Sequence, residues 1–257
     1  MTTCMDMEIT ALTHLGRVRE VNEDRYFVKC FNGTALLMAV VDGMGGGPAG
    51  SAAAETVRQA LSEFSENTAQ TPCQTLSELI ITASEAILET AEKRPALEGM
   101  GATVTATYLS DGVAHWAHVG DTRFYILREG RLIQVTLDQN MAQLLVEEGR
   151  ISRDEARTHP YNHLLDQCVG CPMCKPETGE FNIQGGDLLL HSTDGLHDSF
   201  SDGELLELLS SPDGSVQDKA ESLIQAALSA GGKDNMTLIM AGSGLLKNSQ
   251  RDMGMPL

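Results

Sequence analysis

The order of strand-like and helix-like segments is the feature that most constrains how this chain can fold. Short runs of apolar, β-branched and aromatic residues have strand character; they read TALTH, RYFVKCF, TALLMAVVD, TVTATYL, VAHWAHVG, RFYILREG, RLIQVT, DLLLHSTDG and NMTLIMAG. The two longest helical patterns fall together, between the third and fourth of these runs. A doubly wound fold would instead alternate strands with helices. The order therefore predicts an α+β fold with large, mostly antiparallel sheets.

Helical spacing is clearest in two segments, the first of which begins near Pro48. Their apolar faces comprise Ala53, Val57, Ala60, Leu61 and Phe64 in the first, and Leu76, Leu79, Ile80, Ala83 and Ile87 in the second. Pro48 suits the first turn of a helix, where its missing N–H needs no partner. Shorter helices are predicted at 140–148, 204–209 and 216–228, and the REG before Leu132 predicts a hairpin turn.

The composition argues against several classes of partner. Acidic residues number 36 against 18 basic ones, which gives a formal net charge of -18, and such a field repels nucleic acids and anionic membranes. No apolar run reaches the roughly 18 residues that span a bilayer, and the N-terminus MTTCMDMEIT does not resemble a signal peptide. We therefore predict no nucleic-acid or membrane partner and a cytoplasmic location, where most of the six cysteines stay thiols.

The length of 257 residues accommodates one large domain. Because no internal repeat or long low-complexity linker divides the chain, we predict a single domain over residues 1–244. The last residues, 245–257, have a loose polar composition and predict a flexible tail.

The glycine-rich stretch VDGMGGGPAG contains Asp42 and invites comparison with phosphate-binding loops. A P-loop needs a lysine after the glycines, and none follows here. A dinucleotide-binding loop needs a glycine where Pro48 stands, and the Asp42 carboxylate would repel the pyrophosphate. The stretch is therefore either a plain turn or part of a metal site.

Acidic residues recur at the ends of the predicted strands, namely Glu23 and Asp24, Asp42, Asp121, Asp194 and Asp234. Each one alone is explained by a turn or a strand end. As a set they lack matching basic residues nearby, and a buried carboxylate is costly unless something pairs with it. Oxygen ligands suit Mg²⁺ or Mn²⁺, whereas a zinc site would be expected to use histidine or cysteine.

These acids lie in motifs that resemble those of the metal-dependent Ser/Thr protein phosphatases, the PPM family of type 2C, and of its bacterial branch in particular. The matching segments are GRVREVNED, VVDGMGG, GMGATVTATYL, HVGDTRFYILREG, HSTDGLHD and GGKDNMTLIM, in the family's order over nearly the whole chain. The resemblance implies a central β-sandwich of two antiparallel sheets with helices outside each sheet. It also implies a two-metal centre at one end and a flap over residues 138–170.

The resemblance further implies a role for each motif residue. Asp42 would bridge two cations; Asp194 and Asp234 would bind the first, and Glu23 and the carbonyl of Gly43 the second. Asp24 and Asn235 would lie beside these ligands, and Asp121 would help to hold a third cation. Arg19 would bind the substrate phosphate with two parallel N–H donors; with Asp42 and Asp194 it forms the implied catalytic set. The alternative for Arg19 is a surface ion pair.

The implied activity is hydrolysis of phosphoserine and phosphothreonine in proteins with two Mn²⁺ or Mg²⁺ ions, in a monomer that opposes a Ser/Thr kinase. A phosphatase-like binding module without turnover is the alternative. Such modules usually lose metal ligands, and none is missing here.

Three departures from the family remain open. Met44 stands where many members carry a histidine proposed as general acid, which leaves the proton donor undetermined, with His14 and His118 as possible replacements. Tyr161 stands where bacterial members have an arginine before Asn162. Cys168, Cys171 and Cys174 form a C-x-x-C-x-x-C motif, which is either a redox switch, a thiolate metal site, or loop thiols with one disulfide between the first two.

Overall fold

The computed structural model describes residues 2–66, 68–211 and 214–243. Strands within these residues are β1 Thr2–Cys4, β2 Met7–His14, β3 Arg25–Phe31, β4 Ala35–Met44, β5 Gly101–Ser110, β6 Val113–Val119, β7 Arg123–Arg128, β8 Arg131–Gln134, β9 Glu177–Asn182, β10 Leu188–Ser192 and β11 Met236–Ser243. Helices are α1 Pro48–Ser62, α2 Pro72–Lys93, α3 Met141–Glu147, α4 Arg153–Arg157, α5 Asp194–His197, α6 Asp202–Ser210 and α7 Val216–Ser229, with a short 3₁₀ turn at Pro95–Leu97.

The strands form two antiparallel sheets that pack face to face, as the family resemblance implies. One sheet has the order β1-β2-β11-β10-β7-β8, and the other has the order β3-β4-β5-β6-β9. Apolar side chains of both sheets fill the space between them. Helices α1 and α2 cover the outer face of the five-stranded sheet, and α6 and α7 cover the outer face of the six-stranded sheet. The four layers therefore run helix, sheet, sheet, helix.

The central strand β4 shows why the sequence folds this way. Its residues from Ala35 to Val41 are buried, and alternate side chains point to opposite faces. Leu37 packs against the helices, whereas Leu36 and Met38 pack between the sheets. A continuous apolar run is thus required, because both faces of this strand are covered. By the same alternation, Asp42 faces the space between the sheets.

Both predicted long helices are present, and the first begins where the sequence predicts. Helix α1 starts at Pro48, after three glycines with positive φ angles of 119°, 83° and 54° at residues 45–47. Only glycine adopts such a run of angles without strain. Helix α2 starts at Pro72, and Thr71 and Gln74 close its first turn in a capping box. The predicted REG hairpin is also present, between β7 and β8.

Some elements differ from the sequence prediction. Strands β1 and β9 are not among the predicted strands; β9 reads ETGEFN and is polar because it is an edge strand with one exposed face. The run DLLLHSTDG predicts a strand to its end, but β10 stops at Ser192 and Asp194 begins α5. The strand of Asp42 continues for two residues beyond it, to Met44.

The prediction that most cysteines are thiols is wrong for this structure. Disulfides join Cys4 to Cys30 and Cys168 to Cys171, which leaves Cys73 and Cys174 free. The predicted tail, 245–257, lies outside the described residues. Among the helices that the structure describes, none combines the length and apolar character needed to cross a membrane.

Candidate active site

The predicted metal ligands meet in one basin at an end of the space between the sheets. Its volume is about 450 Å³, and its lining includes all six of them: Glu23, Asp42, Gly43, Asp121, Asp194 and Asp234. Strand ends bring them together, because β4, β6 and β10 all finish at this end and β3 and β11 begin here. The lining also contains Arg19 and Asn235.

Asp42 lies at the centre of the acidic group. It pairs with Thr103 across the β4–β5 ladder, and its carboxylate lies close to that of Asp194. Burial raises the pKa of Asp42 well above its ordinary value, and the charges of Asp24, Asp194 and Asp121 raise it further. Burial and the charge of Asp234 likewise raise the pKa of Asp194. These carboxylates repel one another when all are ionised and no cation is near.

Glu23 and Asp24 lie side by side beneath the basin and are buried. Thr193 donates a 2.9 Å hydrogen bond to Oδ2 of Asp24, but Oδ1 of Asp24 and Oε1 of Glu23 have no hydrogen-bond partner among the described residues. Burial raises the pKa of Asp24 to about 7. The hydroxyl of Thr103, opposite Asp42, is a third such buried oxygen. Orphaned oxygens of this kind are costly unless a ligand satisfies them.

Asp121 follows the end of β6 and is also buried. Burial raises its pKa well above the ordinary value, and the charges of Asp194, Asp138 and Asp198 raise it further. Burial, with the charge of Asp194 next in size, also raises the pKa of Asp198 to about 6. The negative field thus extends from Asp42 past Asp121 toward the flap.

Arg19 is at the rim of the basin, with 46% of its side chain exposed. Its Nη2 donates a 2.6 Å hydrogen bond to Oδ2 of Asp234, so the guanidinium is in an ion pair with a predicted metal ligand. Both interpretations made from the sequence therefore have a basis in the geometry, since Arg19 lines the basin and also forms a surface ion pair.

Asn235 holds the loop that carries Arg19 and Glu23. Its Oδ1 accepts a 2.8 Å hydrogen bond from the backbone N–H of Glu23, and its Nδ2 donates to the carbonyls of Leu15 and Val21 at 2.9 and 3.1 Å. The side chain is buried, so these bonds are shielded from water. An aspartate at this position would lose both donated bonds.

Gly50 is a site residue that sequence reasoning missed. A Cβ at Gly50 would overlap Oε1 of Glu23 and would lie 2.7 Å from the carbonyl oxygen of Gly43. Helix α1 therefore approaches both predicted ligands as closely as its backbone permits. A glycine inside a helix costs about 1 kcal/mol relative to alanine, and that cost is the signal that could have drawn attention to it.

The described residues fit a set of hard divalent cations. The donors are carboxylates and one backbone carbonyl, which are the oxygen ligands that Mn²⁺ and Mg²⁺ prefer. Several carboxylates share one buried basin, and two of their oxygen atoms lack a hydrogen-bond partner within the described part of the chain. Cations at this basin would both neutralise the charge and coordinate the orphaned oxygens. The assignment of each ligand to a particular cation stays a prediction.

The structure separates the histidines that could replace a general acid at Met44. His118 is fully buried and bonds to Thr105 and to the carbonyl of Leu137, and burial lowers its pKa to about 4. His14 accepts a bond from the N–H of Gly16 and does not line the basin. His163, which sequence reasoning missed, does line it, with Nδ1 3.8 Å from Oδ2 of Asp194.

The flap segment is tied to the sandwich at both ends. Asp138 forms a two-bond ion pair with Arg123 at 2.7 and 2.6 Å, and Val169 pairs with Ala102 of β5. A second cavity of about 350 Å³ lies under the flap and shares Asp121 and Asp194 with the basin. Tyr161 is exposed and does not line either cavity.

The C-x-x-C-x-x-C motif begins within the last residues of the flap segment, at Cys168. Cys168 is buried and bonded to Cys171, while Cys174 packs as a half-buried thiol against the core beneath α2. The three sulfurs are thus not available together as thiolates for a metal. The redox interpretation of the motif stays a prediction.

Comparison with known proteins places the chain among phosphatases. The family model for Protein phosphatase 2C matches residues 14–233. The serine/threonine protein phosphatase PstP of Mycobacterium tuberculosis is 36% identical over 236 residues, which are 91% of this chain and 45% of that protein. This chain therefore spans less than half the length of PstP.

Two further comparisons cover nearly whole chains on both sides. The protein phosphatase PhpP of Streptococcus pneumoniae is 30% identical over 243 residues, which are 91% of this chain and 96% of PhpP. The crystal structure of the catalytic domain of the serine/threonine protein phosphatase PstP in complex with two manganese ions superposes with a TM-score of 0.81. That pair is 34% identical, and the alignment covers 92% of this chain and 97% of the other.

Proposed function

This chain belongs to the protein phosphatase 2C family, and we propose that it hydrolyses phosphoserine and phosphothreonine monoesters in proteins at a centre of two Mn²⁺ or Mg²⁺ ions. The observation that carries the proposal is the basin of buried and half-buried carboxylates. Apart from Arg19 at the rim, no lysine or arginine of its described lining balances their charge. The two-manganese structure of a 34% identical relative supports the choice of cation.

Each basin residue has a distinct task in this proposal. Asp42, Asp194 and Asp234 would hold one cation, and Asp42, Glu23 and the carbonyl of Gly43 would hold the other. Asp121 would contribute to a third. When bound, such cations lower the pKa of a water molecule and neutralise charge on phosphoryl oxygens.

The remaining residues bind phosphate and keep the ligands in place. Arg19 donates paired N–H bonds to the phosphate once its guanidinium leaves Asp234. Asn235 fixes the loop that carries Arg19 and Glu23 through its bonds to the backbone. Thr193 anchors the carboxylate of Asp24, the residue that follows Glu23 in the chain.

An assay on a phosphothreonine peptide tests the proposal. We expect phosphate release with Mn²⁺, none after removal of metal by EDTA, and a loss of at least about a hundredfold in Asp194→Asn, because a lost ligand costs more than the 10- to 100-fold typical of outer-shell changes. Asp111→Asn is the matched control: it makes the same chemical change at an exposed turn between β5 and β6. Asparagine tolerates the positive φ of 51° at that turn.

The outcomes separate the possibilities. Full activity in EDTA would contradict the metal mechanism. Absence of activity on any phosphopeptide with Mn²⁺, in a protein that still binds the ion, would favour a binding module. Equal losses in Asp194→Asn and Asp111→Asn would show that the effect does not come from the basin.

Several finer features belong to the same proposal. We propose use of Mg²⁺ as well as Mn²⁺, a signalling role opposite a Ser/Thr kinase, and a monomer that binds neither membranes nor nucleic acid. The oxygen-only ligands support either metal, and the formal charge of -18 disfavours anionic partners. A cytoplasmic location is also proposed, although the two disulfides argue for a more oxidising environment.

A further inference from the structure

A second group of metal-binding side chains lies on the outer face of the five-stranded sheet. It comprises Cys73, His115 and Glu180, whose ligand atoms all lie within 4.8 Å of one another. None of the three belongs to the motifs of the acidic basin. They come from three separate elements, because Cys73 is in the first turn of α2, His115 is on β6 and Glu180 is on β9.

The fold itself creates this juxtaposition. His115 and Glu180 are direct partners in the antiparallel register of β6 and β9, so their side chains lie on the same face of the sheet. Nδ1 of His115 is 3.1 Å from Oε2 of Glu180 and 4.0 Å from Sγ of Cys73. Tetrahedral zinc with bonds of about 2.0–2.3 Å places its ligands roughly 3.3–3.8 Å apart, so small side-chain adjustments close the set around one ion.

We propose that Cys73, His115 and Glu180 bind a zinc-class divalent cation, with one coordination position left to water or to an external ligand. A thiolate, an imidazole nitrogen and a carboxylate are the donor types that zinc uses. The thiolate and the carboxylate together supply two negative charges, which a divalent ion neutralises. The position open to solvent follows from Glu180, whose side chain is 67% exposed.

The local environment suits a metal better than a free thiolate. Burial raises the pKa of the Cys73 thiol, and the charge of Glu180 raises it further, so the thiol keeps its proton until a cation binds and then releases it to solvent. Sγ of Cys73 lies 3.4 Å from the carbonyl oxygen of Gly179, to which the protonated thiol donates. Cys73 is also outside both disulfides, which leaves its sulfur available.

This site is separate from the acidic basin. Along β5, Asp42 pairs with Thr103, whereas His115 pairs with Tyr108, five residues further on. That offset corresponds to roughly 17 Å along the strand. A cation here would join the start of α2 to the edge strand β9 and would stabilise the sheet edge away from the chemistry.

Cobalt absorption tests the site without any assay of phosphatase activity. The full chain, stripped of metal and kept without reductant so that both disulfides persist, is titrated with Co²⁺. We expect a thiolate-to-cobalt charge-transfer band in the near ultraviolet that Zn²⁺ abolishes. The acidic basin cannot produce this band, because its described lining contains no cysteine.

Variants identify the ligands. We expect the band to be absent in Cys73→Ser and to persist in Cys174→Ser, which removes the other free thiol. Glu180→Gln should weaken cobalt binding by about tenfold or more; since Glu180 is exposed, this variant tests the site even where Cys73→Ser is unstable. A wild-type protein without the band, or an equal band in Cys73→Ser, overturns the proposal. Unchanged affinity in Glu180→Gln removes Glu180 from it.

Discussion

Two aspartates paired with arginines at opposite ends of β7 and the carboxylates of the basin balance their charge in different ways. Asp138 and Asp187 each accept two hydrogen bonds from a single arginine: Arg123 at 2.7 and 2.6 Å, and Arg128 at 2.8 and 2.6 Å. In the basin, by contrast, carboxylates face one another, and Arg19 at the rim is the one arginine of the described lining, paired with Asp234.

The comparison shows that the basin lacks enough positive charge to balance its carboxylates. A bidentate arginine completes the coordination of a carboxylate and leaves no room for a cation. In the basin, the pKa values of Asp42, Asp121 and Asp194 are instead raised, first by burial and then by neighbouring carboxylates. Arginines therefore balance the charge of Asp138 and Asp187, whereas the charge of the basin is balanced only when cations bind. Each of the following predictions probes this difference.

The largest effect is expected where a complete pair is broken. Asp138→Asn should lower the free energy of unfolding by about 3–5 kcal/mol, because it leaves the buried guanidinium of Arg123 without its carboxylate. Urea denaturation should show a loss both with Mn²⁺ and with EDTA. The loss in EDTA should be the smaller of the two, because the variant also removes a negative charge that raises the pKa of Asp121. A loss below about 1 kcal/mol would show that this pair contributes no more than an exposed ion pair. A loss that appears only with metal would show that the pair depends on the basin.

The pH dependence of metal-free stability should reveal the incomplete region. The pKa of Asp24 is raised to about 7 when folded, so between about pH 4 and pH 7 the folded protein holds a proton that the unfolded chain has lost. This carboxyl therefore makes the folded state less stable as the pH rises through that window, by up to about 4 kcal/mol.

The measurement is the free energy of unfolding by urea in EDTA across this pH range, for the wild type and for Asp24→Asn. Three buried histidines act in the opposite direction, because burial lowers the pKa values of His118, His191 and His197. They are present in both proteins, so the difference between wild type and variant isolates Asp24. A difference that moves in favour of the wild type as the pH rises would contradict the raised pKa.

Arg19 combines features of both groups of carboxylates, since it pairs with Asp234 like the arginines of β7 but is exposed at the rim of the basin. Arg19→Ala should raise KM for a phosphopeptide about tenfold, which corresponds to the roughly 1.5 kcal/mol of one charged hydrogen bond. Affinity for Mn²⁺ should not fall, because removing Arg19 frees an oxygen of Asp234. Arg19→Lys keeps the charge but lacks the paired donors, so its KM should lie between those of the wild type and Arg19→Ala. Equal losses of substrate and metal affinity would assign Arg19 a purely structural role.

The smallest expected effect is a gain in stability, opposite in sign to the loss expected for Asp138→Asn. Asp42→Asn should stabilise the metal-free protein by about 1 kcal/mol, because it removes a carboxyl group whose ionisation nothing in the described basin compensates. The thermal midpoint in EDTA should therefore rise, and Mn²⁺ should no longer raise it further. A variant destabilised in EDTA as strongly as Asp138→Asn would show that Asp42 is structurally paired.

The face-to-face layers are implied by the family resemblance. The amino-acid pattern predicts a mostly antiparallel strand system and places the strand ends to within about two residues, because apolar runs mark the strands. The positions of Asp42 and Asp194 at strand ends are therefore evident from the amino-acid pattern alone. Pairings between distant residues are invisible to the same reasoning. The bond from Arg19 to Asp234 spans 215 positions, and the disulfide between Cys4 and Cys30 depends on how strands β1 and β3 meet.

Other features escape prediction for local reasons. The polar strand β9 carries no hydrophobic pattern, so the partner of His115 could not be identified and neither could its cluster with Cys73. Helical spacing predicts α1 correctly but does not show that Gly50 faces Glu23. The position of His163 depends on how the flap folds over the basin.

Calorimetric titration of Mn²⁺ into the metal-stripped protein tests the central claim most directly. If the basin carboxylates await cations, the wild type and Asp111→Asn should bind two ions with the same affinities, and Asp42→Asn should lose binding at both because it removes the bridging ligand. Failure of the wild type to bind Mn²⁺, or unchanged binding of two ions in Asp42→Asn, would contradict the claim.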